Sequence, residues 1–258
     1  PSTTTLTINL DSNPTITNLT PQGSGGDVSV DEDDLLASRG AGEAAGSDTS
    51  KESTTQGGTF TITAGDGVDD LTIGGNAFIT NGVFTAGSFT TALGNTLSVT
   101  AYNAGTGVVS YTYTLLDNEA HAAANGENAL FENFAVHLTD TDTGVADSTL
   151  SVRIVDDVPT AEADVDKTTS GTANGNVILG TGMTGGVADI AGADGLASPA
   201  VVGVSTSAGS ITDGTGVGGV VASAKGTLTL GADGAFTYTK TDAEATGTDT
   251  FYYTIIDK

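Results

Sequence analysis

The chain contains no cysteine and no tryptophan, one methionine and two histidines, and it sets only 7 lysines and arginines against 32 aspartates and glutamates. The missing cysteines exclude disulfides and thiolate metal sites. The formal net charge of −25 argues against nucleic acid or an anionic membrane surface as partner, because phosphate recognition needs clustered Lys and Arg. No apolar run approaches membrane-spanning length, so membrane insertion is not expected. No signal peptide opens the chain, which reads as a segment cut from something longer. Aromatics make up only 5% of the residues, too few for a sugar-stacking cleft. His121 and His137 are the only imidazoles, and no Gly-x-Ser-x-Gly elbow frames a nucleophile. Among so many acids, a carboxylate pair suited to glycoside hydrolysis carries no information. The expectation is a protein that is not an enzyme.

What is present points to β-structure. Glycine occurs 37 times, and the 37% of hydrophobic residues fall in runs of period two, which favours folded strands over disorder. Residues 1–10 read as one strand, and 15–20 with 27–30 as the start of a new domain. Residues 37–58 lack periodicity and large apolar groups, as an exposed, mobile loop would. Strands are predicted at 59–63, 69–73, 77–80, 83–85, 96–102 and 108–116, where Val108 to Leu116 alternates aromatic with Ser and Thr. A short helix or turn is predicted over 119–132. Strand 134–139 then leads through Asp140-Thr-Asp-Thr-Gly144 into strand 148–155, as a hairpin. Later strands are predicted at 176–179, 200–206, 220–223, 226–230, 235–239 and 250–256, with a hairpin turn at Ala232-Asp-Gly-Ala235. The regular spacing of short strands favours all-β tandem β-sandwich domains, at about 11–156 and 157–258.

Two junctions share one form. Thr149 to Ile154 runs into Asp156-Asp-Val-Pro159-Thr, and Thr5 to Leu10 runs into Asp11-Ser-Asn-Pro14-Thr. They read as joints between repeated extracellular domains, with acids placed where a cation would stiffen each joint. Without disulfides, small extracellular cores need another source of stability, and calcium is a plausible one.

A known group resembles this pattern. Tyr113-Thr-Leu-Leu-Asp117-Asn, Gly126-Glu-Asn, Phe134-Ala-Val, Thr139-Asp-Thr-Asp142 and Leu150 to Pro159 look like the long repeat of giant type I-secreted bacterial RTX adhesins. Gly175 to Leu179, Gly226 to Tyr238 and Gly247 to Asp257 look like the VCBS or cadherin-like repeat of the same group. The resemblance implies immunoglobulin-like and cadherin-like folds, calcium binding and a place in an extracellular stalk at the bacterial cell surface. Its partners would be neighbouring repeats of the same adhesin, and its role would lie in cell adhesion and biofilm formation. Residues 1–10 resemble the last strand of a preceding repeat, and 157–258 ends at its penultimate strand. That leaves an expected open edge able to accept an added strand, or a first strand that pairs with a neighbouring sheet.

Calcium takes six to eight oxygen ligands, and Asp-x-Asp in a loop aims two carboxylates at one ion. Three places offer this: Asp31/Asp33, Asp140/Asp142 and Asp164/Asp166. In an immunoglobulin-like sandwich, the loop with Asp117, Glu119 and Glu127 lies at the exit end. An interdomain site is therefore expected from Asp117, Glu119, Glu127, Asp156 and Asp157, with Asp257 as a further candidate. The acidic loop 140–144 is expected at the opposite end, near Asp11. No EF-hand loop and no nonapeptide calcium array occurs. The competing reading is a ligand-binding adhesin module for a glycan, peptide or surface.

Overall fold

The computed structural model describes residues 1–6, 12–36, 45–47, 53–122 and 126–258. Among them the regular structure is β-strand with three short 3-10 turns and no α-helix. The chain forms two compact units. The first comprises Pro1–Glu32, Glu52–Asp117 and Ala129–Val155, and the second Asp33–Lys51, Asn118–Asn128 and Asp156–Lys258.

In the first unit, β1 (Thr15–Thr17), β3 (Thr55–Thr63), β9 (Val108–Thr114), β8 (Thr96–Asn103) and β7 (Gly87–Thr90) make one sheet in that order. The other sheet runs β2 (Val28–Asp31), β11 (Val145–Val155), β10 (Ala129–Asp140), β4 (Val68–Ile73), β5 (Asn76–Thr80), β6 (Val83–Phe84). All pairings are antiparallel except β2 with β11, which is parallel. The two-residue period explains the burial. On β9, Val109, Tyr111 and Tyr113 are buried while the Ser and Thr between them are half exposed. Ring contacts connect the two sheets: Phe134 of β10 lies 5.8 Å from Phe89 of β7 and 6.4 Å from Tyr113 of β9. Tyr111 lies against the strand opposite. A β-carbon on its partner Gly58 would stand 2.3 Å from the phenol oxygen, so the ring occupies space that only glycine leaves open.

In the second unit, β12 (Thr172–Asn176), β16 (Ala235–Lys240), β15 (Gly226–Leu230) and β14 (Val220–Ala222) form a four-stranded sheet. β13 (Leu196–Ser205) pairs with β17 (Tyr252–Asp257). Val201 and Val204 of β13 meet Leu228 and Leu230 of β15 and Val177 in a small core, with Phe236, Tyr238, Tyr253 and Ile255 packed around it. The β15–β16 hairpin turns where Ala232-Asp-Gly-Ala235 predicts.

Four local expectations change. Residues 1–6 form no strand, and 7–11 lie outside the described residues. The predicted loop 37–58 gives up Thr55 to Gly58 to β3, which pairs with β9 there; residues 37–44 and 48–52 lie outside the described set. In place of a helix or turn reaching residue 132, Ala129 to Glu132 extend β10 and pair with Val152 to Val155 of β11. Helix propensity loses there to a continuous ladder. The strand expected at 176–179 lies earlier, at Thr172–Asn176. The Asn176 side chain then holds a turn, accepting from Leu179 N–H and donating to the Asp233 carbonyl.

Candidate metal centre

β10 carries its inward-facing residues in one phase: Glu132, Phe134, Val136, Leu138 and then Asp140 are buried. The inward phase of the strand therefore ends on a carboxylate. Asp140 is 1% exposed, and among the described residues neither of its carboxylate oxygens accepts a well-formed hydrogen bond. Burial pushes its carboxyl above the ordinary carboxylate value, and Asp142 and Asp66 push the same way, against the nearby Gly144 N–H.

Two turns meet around it. Asp140 also pairs with Val68 of β4, beyond a register shift, so the turn before β4 arrives beside the turn after β10. Thr141 N–H donates to the Gly67 carbonyl, and Thr141 Oγ1 donates to Asp66 at both its carbonyl and Oδ2. Asp66, Asp140 and Asp142 each place a carboxylate oxygen within 4.8 Å of the other two, a group that could hold a metal ion. The β10–β11 turn is itself constrained: Thr143 N–H donates to the Asp140 carbonyl, and Thr143 adopts φ 81°, costly for a β-branched residue. The leading segment reaches the same end. A β-carbon on Gly144 would lie 3.0 Å from Pro14, and one on Gly65 would lie 2.6 Å from Ser12 Oγ. This fits the expectation that the 140–144 loop sits near the start of the domain; Asp11 itself lies outside the described residues.

The other predicted acids have different surroundings. In the second unit, Asp157 is 1% exposed and its oxygens are filled. Oδ2 accepts Ser47 N–H at 2.9 Å and Ala193 N–H at 2.8 Å, and Oδ1 accepts Ser47 Oγ at 2.5 Å. Asp156 accepts Asn128 Nδ2 at 3.0 Å, and Asn128 Oδ1 lies 3.1 Å from His121 Nδ1. Burial raises the Asp156 carboxyl, with Asp157 and Glu127 adding to the rise and His121 opposing it. The segment carrying Glu119 and Glu127 thus approaches Asp156 as the loop order predicts. Glu119 is buried, whereas Asp117 is exposed and belongs to the first unit.

Asp164 and Asp166 bind the 184–187 segment. Asp164 Oδ1 accepts Val187 N–H, and Asp166 Oδ1 accepts Lys167 N–H together with the backbone and hydroxyl of Thr184. Asp31 ends β2 opposite Val155, Asp33 lies in the 3-10 turn Glu32–Asp34, and Asp257 ends β17 opposite Leu196. His137 points outward from β10, with Nδ1 2.6 Å from Asp147 Oδ1.

Asp66 is the member of the acidic group that sequence spacing misses, since 74 positions separate it from Asp140 and only the β4–β10 pairing joins them. Asp140 did carry a signal, as an acid standing in the inward phase of an alternating strand. Compared with known protein families and with curated proteins, the chain matches neither a family model nor a curated protein.

Proposed function

We propose that this chain is a non-catalytic, calcium-stiffened extender module of a large bacterial surface adhesin, with units of immunoglobulin-like and cadherin-like β-sandwich type. The observation that carries this reading is the buried carboxylate of Asp140, set between Asp66 and Asp142 at one end of an all-β unit. The residues fit calcium. Three carboxylates converge from turns, two of them exposed enough for water to complete the shell. Calcium supplies charge neutralisation and a rigid tie between loops; it would bind the ordered form in preference to the loose one and so favour it by mass action. The chain would act outside the cell, between neighbouring repeats, holding a distal adhesive part away from the surface in adhesion and biofilm formation. Calorimetry and small-angle scattering test this. Chelator should lower the Tm and change the particle's maximum dimension, and indifference of both would defeat the reading.

A second reading, a ligand-binding adhesin module for a glycan, peptide or surface, draws on a hollow of about 400 Å³ in the first unit, lined by Ile62, Val68, Tyr102, Thr106 and Gly107 among others. Most of its lining residues are small, and Tyr102 is the one aromatic among them. Binding on a glycan array that disappears in Tyr102→Ala would favour it.

A further inference from the structure

We propose that Asp66, Asp140 and Asp142 are the carboxylate ligands of one hard divalent cation that staples the turn before β4 to the turn after β10. The inference deepens the extender reading, on which it rests for the choice of calcium, by assigning a specific intradomain centre.

Asp140 is the first argument. A buried carboxylate is costly unless donors or a cation replace its lost water. Other acids in the structure have such donors. Asp27 accepts the N–H groups of Thr20 and Ser151. Glu132 accepts Leu93 N–H and Tyr113 Oη. Asp157 accepts three groups. Asp140 is buried as Glu132 and Asp157 are, yet among the described residues no donor makes a well-formed hydrogen bond to it, and only the Gly144 N–H lies near.

Geometry is the second argument. Two oxygens bound to one calcium lie at most about 5 Å apart, twice the usual bond length. The three carboxylates meet that limit mutually, at 4.8 Å or less. Thr141 holds Asp66 through Oδ2, so the turn is already oriented when an ion arrives. Three negative groups at this spacing repel one another, and a divalent ion reverses the sign of that interaction. The ion would fix two turns directly. Through the packing of Gly144 on Pro14 it would also fix the segment that leads into β1.

The test uses the whole 258-residue chain, stripped with chelator, then titrated with calcium, magnesium or terbium and followed by Tm and terbium luminescence. Calcium should raise the Tm, and magnesium, which demands a tighter octahedral shell, should raise it less. Asp66→Asn keeps an acceptor for Thr141, and Asp142→Asn changes an exposed turn residue, so both variants should fold. Each should weaken calcium and terbium binding by more than about tenfold, at or beyond what outer-shell changes cost. Asp140→Asn should invert the order of stability, melting above the wild type in chelator and below it in calcium. A purely structural role for Asp140 would lower the Tm in both. A calcium response unchanged in all three variants would overturn this centre while leaving the extender reading intact, with calcium bound elsewhere. A wild-type chain indifferent to calcium by both measurements would overturn both.

Discussion

A β-carbon on Gly144 would stand 2.6 Å from Oδ2 of Asp140 and 3.0 Å from its Oδ1. The carboxylate occupies the place that a side chain at 144 would take. Gly144→Ala should therefore displace the Asp140 carboxylate and reduce calcium affinity, while far-UV circular dichroism stays that of a folded β-protein. Terbium luminescence reads the loss directly. Unchanged affinity would mean that the carboxylate can move without consequence for the ion.

Tyr113 and Glu132 test the buried polar part of the first unit. The phenol donates to Glu132 Oε2 at 2.8 Å, and Glu132 is 7% exposed. Tyr113→Phe leaves that carboxylate oxygen short of a donor and should cost about 1–3 kcal/mol in urea unfolding. Glu132→Gln, which keeps a carbonyl acceptor for Leu93 N–H and offers an amide N–H that the Tyr113 hydroxyl can accept, should cost less. The reverse order would refute the role given to this bond.

Asp157 makes a similar staple in the second unit. Asp157→Ala removes the acceptor of Ser47 and of the buried Ala193 N–H, and a loss of about 1–3 kcal/mol is expected. Ser47→Ala should cost less, because the backbone N–H of residue 47 keeps its acceptor. Hydrogen exchange at the Ala193 amide should quicken in Asp157→Ala and remain slow in Ser47→Ala.

Two other acids of the second unit should give pH slopes of opposite sign. Burial raises the Asp189 carboxyl, with Asp164 and Glu162 adding to the rise against hydrogen bonds from Glu162 N–H and Tyr253 Oη. Its contribution is full below the ordinary carboxylate value and is lost as pH rises through the raised one. Burial also pushes Asp249 upward, but hydrogen bonds from Ser223, Tyr238 and Lys225 N–H outweigh it and leave the carboxyl below its usual value. Its contribution is present above the ordinary value and is lost as pH falls through the lowered one. Urea unfolding across the acid range should therefore show Asp189→Asn and Asp249→Asn changing the slope in opposite directions. Slopes changed in the same direction by both would contradict the assignment.

Much of the first unit was legible because its strands keep strict alternation. Val109, Tyr111 and Tyr113 declare one face of β9, and Phe134, Val136 and Leu138 one face of β10. β7 escaped notice since Phe89 is the single large apolar residue in its four positions. Ala129 to Glu132 looked helical by composition, and only pairing with β11 makes them strand. At the acidic centre, local spacing identified Asp140 and Asp142. Asp66 enters through a long-range register that no short window contains, with Val68 opposite Asp140. The Asp-Asp pair at 156–157 reads as a metal junction from its repeated strand-acid-proline form and the order of the loops; what no sequence window shows is that Asp157 also accepts N–H groups of Ser47 and Ala193.

The parallel pairing of β2 with β11 has a mechanical consequence. Val28 to Asp31 lie beside Val152 to Val155, each strand running the same way. Tension on the leading end of β2 and the trailing end of β11 draws these strands along their common axis in opposite directions. The hydrogen bonds of that ladder are then loaded together in shear. An antiparallel pair pulled at adjacent ends would instead open one bond at a time, like a zipper. Beyond the short β1, the first unit thus presents its tougher geometry to force applied along the chain.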